Sequence, residues 1–108
     1  VNIADVKIGT PASIVYPHDT YAAVVVHRTP KRVKVARVET GPRERVDGGS
    51  GDTPPIVEAR GILDKIVEGT AATYTLRSDF PGHLVGTNSN GGRVTFGESV
   101  TRINYQNW

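Results

Sequence analysis

Hydrophobic positions along the chain recur mostly with a period of two, in short runs punctuated by Gly, Pro, Asn and Asp. The most marked run is double. Residues 21–28 and 32–39 are both rich in Val and are separated by Thr29-Pro30-Lys31. β-Branched residues suit a pleated, half-buried surface, and Pro30, with a fixed φ and no N–H, belongs in a turn between two arms. Residues 21–39 therefore predict a central β-hairpin. In its second arm Val33 and Val35 share one face, with Arg32 and Lys34 on the other. Strict alternation then puts Arg37 with the valines and Val38 with the lysine. One extra residue near Ala36-Arg37 returns Val38 to the valine face, so a β-bulge is expected there.

Shorter runs flank the hairpin. Residues 12–16 read as a strand with Ile14 and Tyr16 on one face, followed by a turn at Pro17-His18-Asp19-Thr20. Residues 70–78 alternate well, Ala72, Tyr74 and Leu76 against Ala71, Thr73, Thr75 and Arg77. A Pro-Gly turn signal at 79–82, a short strand at 83–87 and the Asn90-Gly91 pair come next. Residues 93–96 and 99–105 then close the fold, with a break at Gly97-Glu98. Residues 1–7 read as a short strand or an ordered arm. Residues 41–55 show no periodicity and read as one long Gly/Pro-rich loop, in which Gly48-Gly49-Ser50-Gly51 has the composition of a flexible linker.

Residues 56–68 carry two readings. Ile62, Leu63, Ile66 and Val67 have helical spacing, but so short a stretch between two glycines makes at most about two turns, and such a helix is marginal alone. Strand-like neighbours on both sides favour extended structure with a polar kink at Asp64-Lys65. The whole predicts one all-β domain over 1–108, a small SH3-like barrel or sandwich of about six to eight short strands. An OB-type barrel is the alternative.

Composition narrows the chemistry. The chain has 108 residues, enough for one core, and no cysteine. A disulfide framework, thiolate zinc and a cysteine nucleophile are thereby excluded. No apolar run approaches the roughly 18–20 residues of a membrane helix, and no signal peptide opens the sequence. The expected location is the cytoplasm of a host cell, or a virion. The net charge is only +2, yet residues 27–45 hold seven of the 13 basic residues: Arg28, Lys31, Arg32, Lys34, Arg37, Arg43 and Arg45. That clustering fits either a surface for nucleic acid or an acidic protein, or an exposed hairpin whose charges block edge pairing.

Several stretches resemble a family of small uncharacterised tailed-phage proteins. They are Tyr16-Pro17-His18-Asp19-Thr20-Tyr21 running into Ala23-Val24-Val25-Val26, then Ala72-Thr73-Tyr74-Thr75-Leu76-Arg77. Val94-Thr95-Phe96-Gly97 with Arg102-Ile103-Asn104-Tyr105 completes the likeness. The resemblance implies an SH3-like β fold and a phage origin. It implies no activity and carries over no functional residue.

The remaining motifs supply no reaction. His18, His27 and His83 lack the spacing that puts two imidazoles on one element, and no serine sits in a Gly-x-Ser-x-Gly elbow. Residues 48–51 lack the Lys-Ser/Thr of a phosphate-binding loop. No catalytic residue, cofactor or metal is expected. The expectation is a non-enzymatic binding module that contacts a host protein or self-assembles as a homo-oligomer. Its candidate binding residues are the seven cations named above together with Trp108, a terminal indole that is costly to expose. A nucleic-acid-binding hairpin over 27–45 and a barrel that captures a small anionic nucleotide are the alternatives.

Overall fold

A computed structural model describes residues 5–17, 19–47, 55–79, 83–87 and 93–104. Among these residues the chain forms nine strands. They are β1 (Pro11–Val15), β2 (Asp19–Arg28), β3 (Arg32–Thr40), β4 (Glu44–Asp47), β5 (Ile56–Ile66), β6 (Ala72–Asp79), β7 (His83–Thr87), β8 (Arg93–Phe96) and β9 (Val100–Asn104). All pairings are antiparallel and belong to one sheet, in the order β1-β8-β7-β6-β3-β2-β9-β5-β4. The all-β expectation holds.

Two extra pairings, β1 with β2 and β3 with β5, fold that sheet into rings. Strands β1, β8, β7, β6, β3 and β2 close on one another as a six-stranded barrel. Strands β2, β3, β5 and β9 close as a second, four-stranded ring, with β4 along the edge of β5. The β2–β3 hairpin is the wall common to both. Each ring has its own core. The first is filled by Val6, Ala12, Ile14, Ala23, Val25, Val33, Val35, Tyr74 and Val94, with Ala72, Leu76 and Phe96 packed against them. The second holds Ala22, Val24 and Val38, with Val26 alongside.

The shared wall explains the unbroken apolar run in β2. Residues 22–25 are all buried, the odd ones facing the first ring and the even ones the second. It also corrects the expected bulge. Pairing is regular through Ala36 and Arg37, which lie opposite Val24 and Ala23. Val38 is buried without any extra residue, because it serves the second core while Val33 and Val35 serve the first. The irregularity lies instead in β2, where the register shifts between Val25 and His27 and leaves Val26 unopposed.

Two further segments differ in detail from the sequence reading. The 41–55 stretch is not all loop: Glu44–Asp47 form β4, paired with β5, while residues 48–54 lie outside the described residues. Residues 56–66 are extended, as favoured, but with a wide bulge. Val38 lies opposite Ile66 and Thr40 opposite Gly61, so Glu39 alone faces Ile62, Leu63, Asp64 and Lys65.

The second ring closes only because its wall residues are small. A Cβ on Gly61 would fall 2.7 Å from the Ala22 Cβ, 2.8 Å from the Val38 Cγ2 and closer still to the Ser99 Oγ. Here the β2–β9 ladder, which pairs Asp19 with Ile103 and Thr20 with Arg102, gives way to side chains. The Ser99 hydroxyl donates to the Ala23 carbonyl at 2.9 Å and accepts from the Ala23 N–H at 3.1 Å. Thr101 Oγ1 accepts from the Ala22 N–H at 3.0 Å. Ser13 Oγ donates to the Glu98 carbonyl at 2.7 Å and accepts from the Val100 N–H at 3.2 Å. Three buried hydroxyls thus bond backbone groups of β2, of β9 and of the residue Glu98 just before β9.

Two substitutions test this packing. Gly61→Ala should lower stability by about 1–3 kcal/mol, the usual cost of overpacking, read from the denaturant midpoint. Gly41→Ala, whose new Cβ would meet only the Arg60 carbonyl oxygen at 3.8 Å, should leave that midpoint unchanged. Val38→Asp should cost on the order of 3 kcal/mol or more, because it buries an unpaired carboxylate in the second core. A Val38→Asp chain as stable as the parent would place residue 38 on the surface.

Candidate binding surfaces

The basic residues of the hairpin do not share one face. Arg32 and Lys34 lie on the outer side of the first barrel, opposite Thr75 and Thr73 of β6. The bulge at Val26 brings His27 to the same side, opposite Lys34. His27, Thr29, Arg32, Lys34 and Thr73 rim a shallow cavity of about 220 Å3. Lys31 is exposed in the turn beside it.

The other cations point elsewhere. Arg28, one residue past His27, turns to the barrel end, where its Nε donates to the Val6 carbonyl at 3.1 Å and its Nη1 approaches the Thr29 carbonyl. Arg37 lies on the first-ring side, beyond the end of the core, and stacks over the Tyr21 ring at 4.0 Å. Arg43 and Arg45 are exposed at the start of β4, with Arg45 opposite Val57. Trp108 and His18 lie outside the described residues.

Tyr21 also joins an aromatic cluster. Tyr16 meets it edge to face, centroids 5.9 Å apart, and the Tyr21 hydroxyl donates to Asp19 Oδ2 at 3.3 Å. Burial, with the Asp19 carboxylate next, holds the Tyr21 hydroxyl above the ordinary tyrosine pKa. Tyr74 is 1% exposed, and burial, then Tyr16, pushes its pKa up to about 12.

A different surface surrounds β5. Ile62, Leu63, Ile66 and Val67 are 39, 37, 50 and 38% exposed. The bulge opposite Glu39 turns the first two outward. Nearer the start of the strand, Pro42, Glu44, Val46, Glu58, Ala59 and Arg60 line a cavity of about 500 Å3 between β4 and β5. Of its two carboxylates Glu58 is tied down: it pairs with Arg60 and with Arg102, each at 3.2 Å, and Arg60 also reaches Glu98. Sequence reasoning assigns the β5 aliphatics no binding role. Their signal is the pair of apolar doublets around Asp64-Lys65, which fits neither a period of two nor a helix long enough to stand alone.

Among the described residues no group of three or more His, Asp or Glu side chains forms a metal cluster, and no helix is long and apolar enough to cross a membrane.

Tyr74 supplies a pH test. Its folded pKa exceeds its unfolded value, so folding favours the protonated phenol. That stability is fully present below pH ~10 and is lost as the pH rises from about 10 to 12, on the order of 2–3 kcal/mol in all. Tyrosinate absorbance should show one tyrosine ionising only near pH 12, and Tyr74→Phe should remove that step. A parent chain in which every tyrosine ionises near pH ~10 would show Tyr74 to be solvated.

No family model matches the chain, and no curated protein or solved structure matches it either. The surfaces themselves therefore carry the functional reading.

Proposed function

We propose that the chain is a non-enzymatic binding module whose working surface is the β5 rim and whose partner is a protein. One observation carries this reading. Four large aliphatic side chains on six consecutive residues, Ile62, Leu63, Ile66 and Val67, each stand more than a third exposed. Apolar groups held out of the core lose the stabilisation of burial, which a protein partner restores on binding. Taken with the phage-like stretches, the partner is a host protein or another copy of the chain.

The cluster of His27, Arg32 and Lys34 supports a second reading, binding of a polyanion. It is the narrower one, since Arg28 and Arg37 are engaged on the opposite side and do not extend the track. For a small anionic nucleotide the same outer cavity is the one that the hairpin's cations rim, and the first ring is filled by its own side chains.

Paired variants separate the two surfaces. Affinity capture with the full chain should retain a protein, or further copies of the chain, that Leu63→Lys with Ile66→Lys no longer retains. Arg32→Ala with Lys34→Ala should leave that capture intact. Salt-sensitive binding to a random oligonucleotide that Arg32→Ala with Lys34→Ala abolishes, with no change for the β5 variant, would move the function to the hairpin.

A further inference from the structure

We infer that the shallow cavity on the outer face of β2, β3 and β6 is a site for one phosphate monoester, held by Arg32, Lys34, His27 and Thr73. This rests on the second reading above, anion binding at the hairpin, and names the ligand as a single terminal phosphate in place of a polyanion.

The register brings the four side chains together. His27 lies opposite Lys34, and Lys34 opposite Thr73, so three neighbouring strands set one row of side chains on the same face. Arg32, two residues from Lys34 along β3, shares that face and lies opposite Thr75. Val33 and Val35, the alternate residues, are buried in the first core. His27, Arg32, Lys34 and Thr73 are all exposed and rim one cavity of about 220 Å3. That is smaller than the roughly 300–1,000 Å3 of sites that enclose a whole small molecule, so the fit is to a single group.

The charge of the site is one-sided. No carboxylate lines the cavity. Arg32 and Lys34 have no ion-pair partner among the described residues. A guanidinium offers a fork of N–H donors, an ammonium a point charge, an imidazole an N–H and a threonine a hydroxyl. Together these match the three oxygens and the nearly double charge of a phosphate monoester. The backbone beneath is already fixed. Thr29 Oγ1 accepts from the Arg32 N–H at 3.1 Å and donates to the Arg32 carbonyl at 3.3 Å. The Lys31 carbonyl accepts from the Leu76 N–H at 2.9 Å, which ties the hairpin tip to β6. A nucleic-acid strand, by contrast, presents a row of singly charged phosphates and needs a row of cations to follow it. Here the row ends, since Arg28 turns to the barrel end and Arg37 stacks on Tyr21.

Amide chemical shifts of the full chain, followed by NMR at near-physiological salt, read the site residue by residue. Inorganic phosphate and methyl phosphate should each shift His27, Arg32, Lys34 and Thr73 in a saturable way. Dimethyl phosphate, the matching diester with one charge, should bind about tenfold more weakly or worse. Arg32→Ala and Lys34→Ala should each raise the Kd for methyl phosphate by about tenfold or more, and Thr73→Val by about threefold. Arg45→Ala removes the same charge from β4 and should leave that Kd unchanged. The replaced side chains are exposed, and Thr29 bonds only the backbone of Arg32, so shifts away from the site should match the parent and report an intact fold.

Equal affinity for the monoester and the diester overturns the site. So does an Arg45→Ala chain weakened as much as Arg32→Ala, because overall charge then accounts for the binding. Salt-sensitive binding of a random oligonucleotide, with no saturable shift from methyl phosphate, overturns the single-phosphate site and leaves the polyanion reading standing. Binding of neither overturns both. Leu63 and Ile66, on which the protein-binding reading is tested, take no part in these outcomes.

Discussion

The structure depends on one strand, β2, that is buried on both of its faces from Ala22 to Val25. A strand in an ordinary small barrel offers one face to a core and the other to water. Here the middle of β2 has a ring on each side, so the second ring must be thin enough to close over the back of the first. Thinness means small side chains and backbone in near contact. Ala22, Ala59, Ser99 and Gly61 meet this need, and Gly61 meets it with no room left for a methyl group. The ladder between β2 and β9 is also short, and past Thr20 side chains take over from it. The hydroxyls of Ser99 and Thr101 fill that place, and Ser13 does the same for the neighbouring strands.

The proposed surface follows from the same geometry. β5 has to follow β9 over its first half and β3 near its end, and the two paths differ in length. The surplus is taken up at one place, opposite Glu39, and it carries two aliphatic side chains outward with it. The proposed rim is thus a product of ring closure, and the wall that sets its position is the same wall that orders the cores.

Much of this is legible in the sequence where one face of a strand meets one core. The alternation in β6 places Ala72, Tyr74 and Leu76 inward as the period of two requires, and Arg93–Phe96 is a strand with the expected bounds. Legibility fails where a strand meets two cores. In β3 the valines before Ala36 and the valine after it both look like core, and period-two logic demands a bulge to reconcile them. Two cores on opposite faces reconcile them with no bulge at all, and nothing local distinguishes the cases. β4 is hidden for a different reason. Its four residues, Glu44 to Asp47, are mostly charged, and they are a strand because β5 offers an edge, which is a fact about residues 56–58. The cations are legible as a dense cluster, but their division between faces turns on Val26, a single unopposed residue.

Ring closure also joins distant parts of the chain. The first barrel is sealed by β1 against β8, and the second by β2 against β9, so both seams wait for the last strands of the described chain. Until then Ala22 to Val26 stand as an aliphatic stretch with neither of its covers complete, and contacts between distant parts of a chain form slowly. A chain whose rings are not yet closed therefore leaves this aliphatic segment partly uncovered, and such segments are prone to pair between molecules. Lys31 and Arg32, which follow that segment across the turn, are well placed to keep it from pairing with its neighbours in that interval.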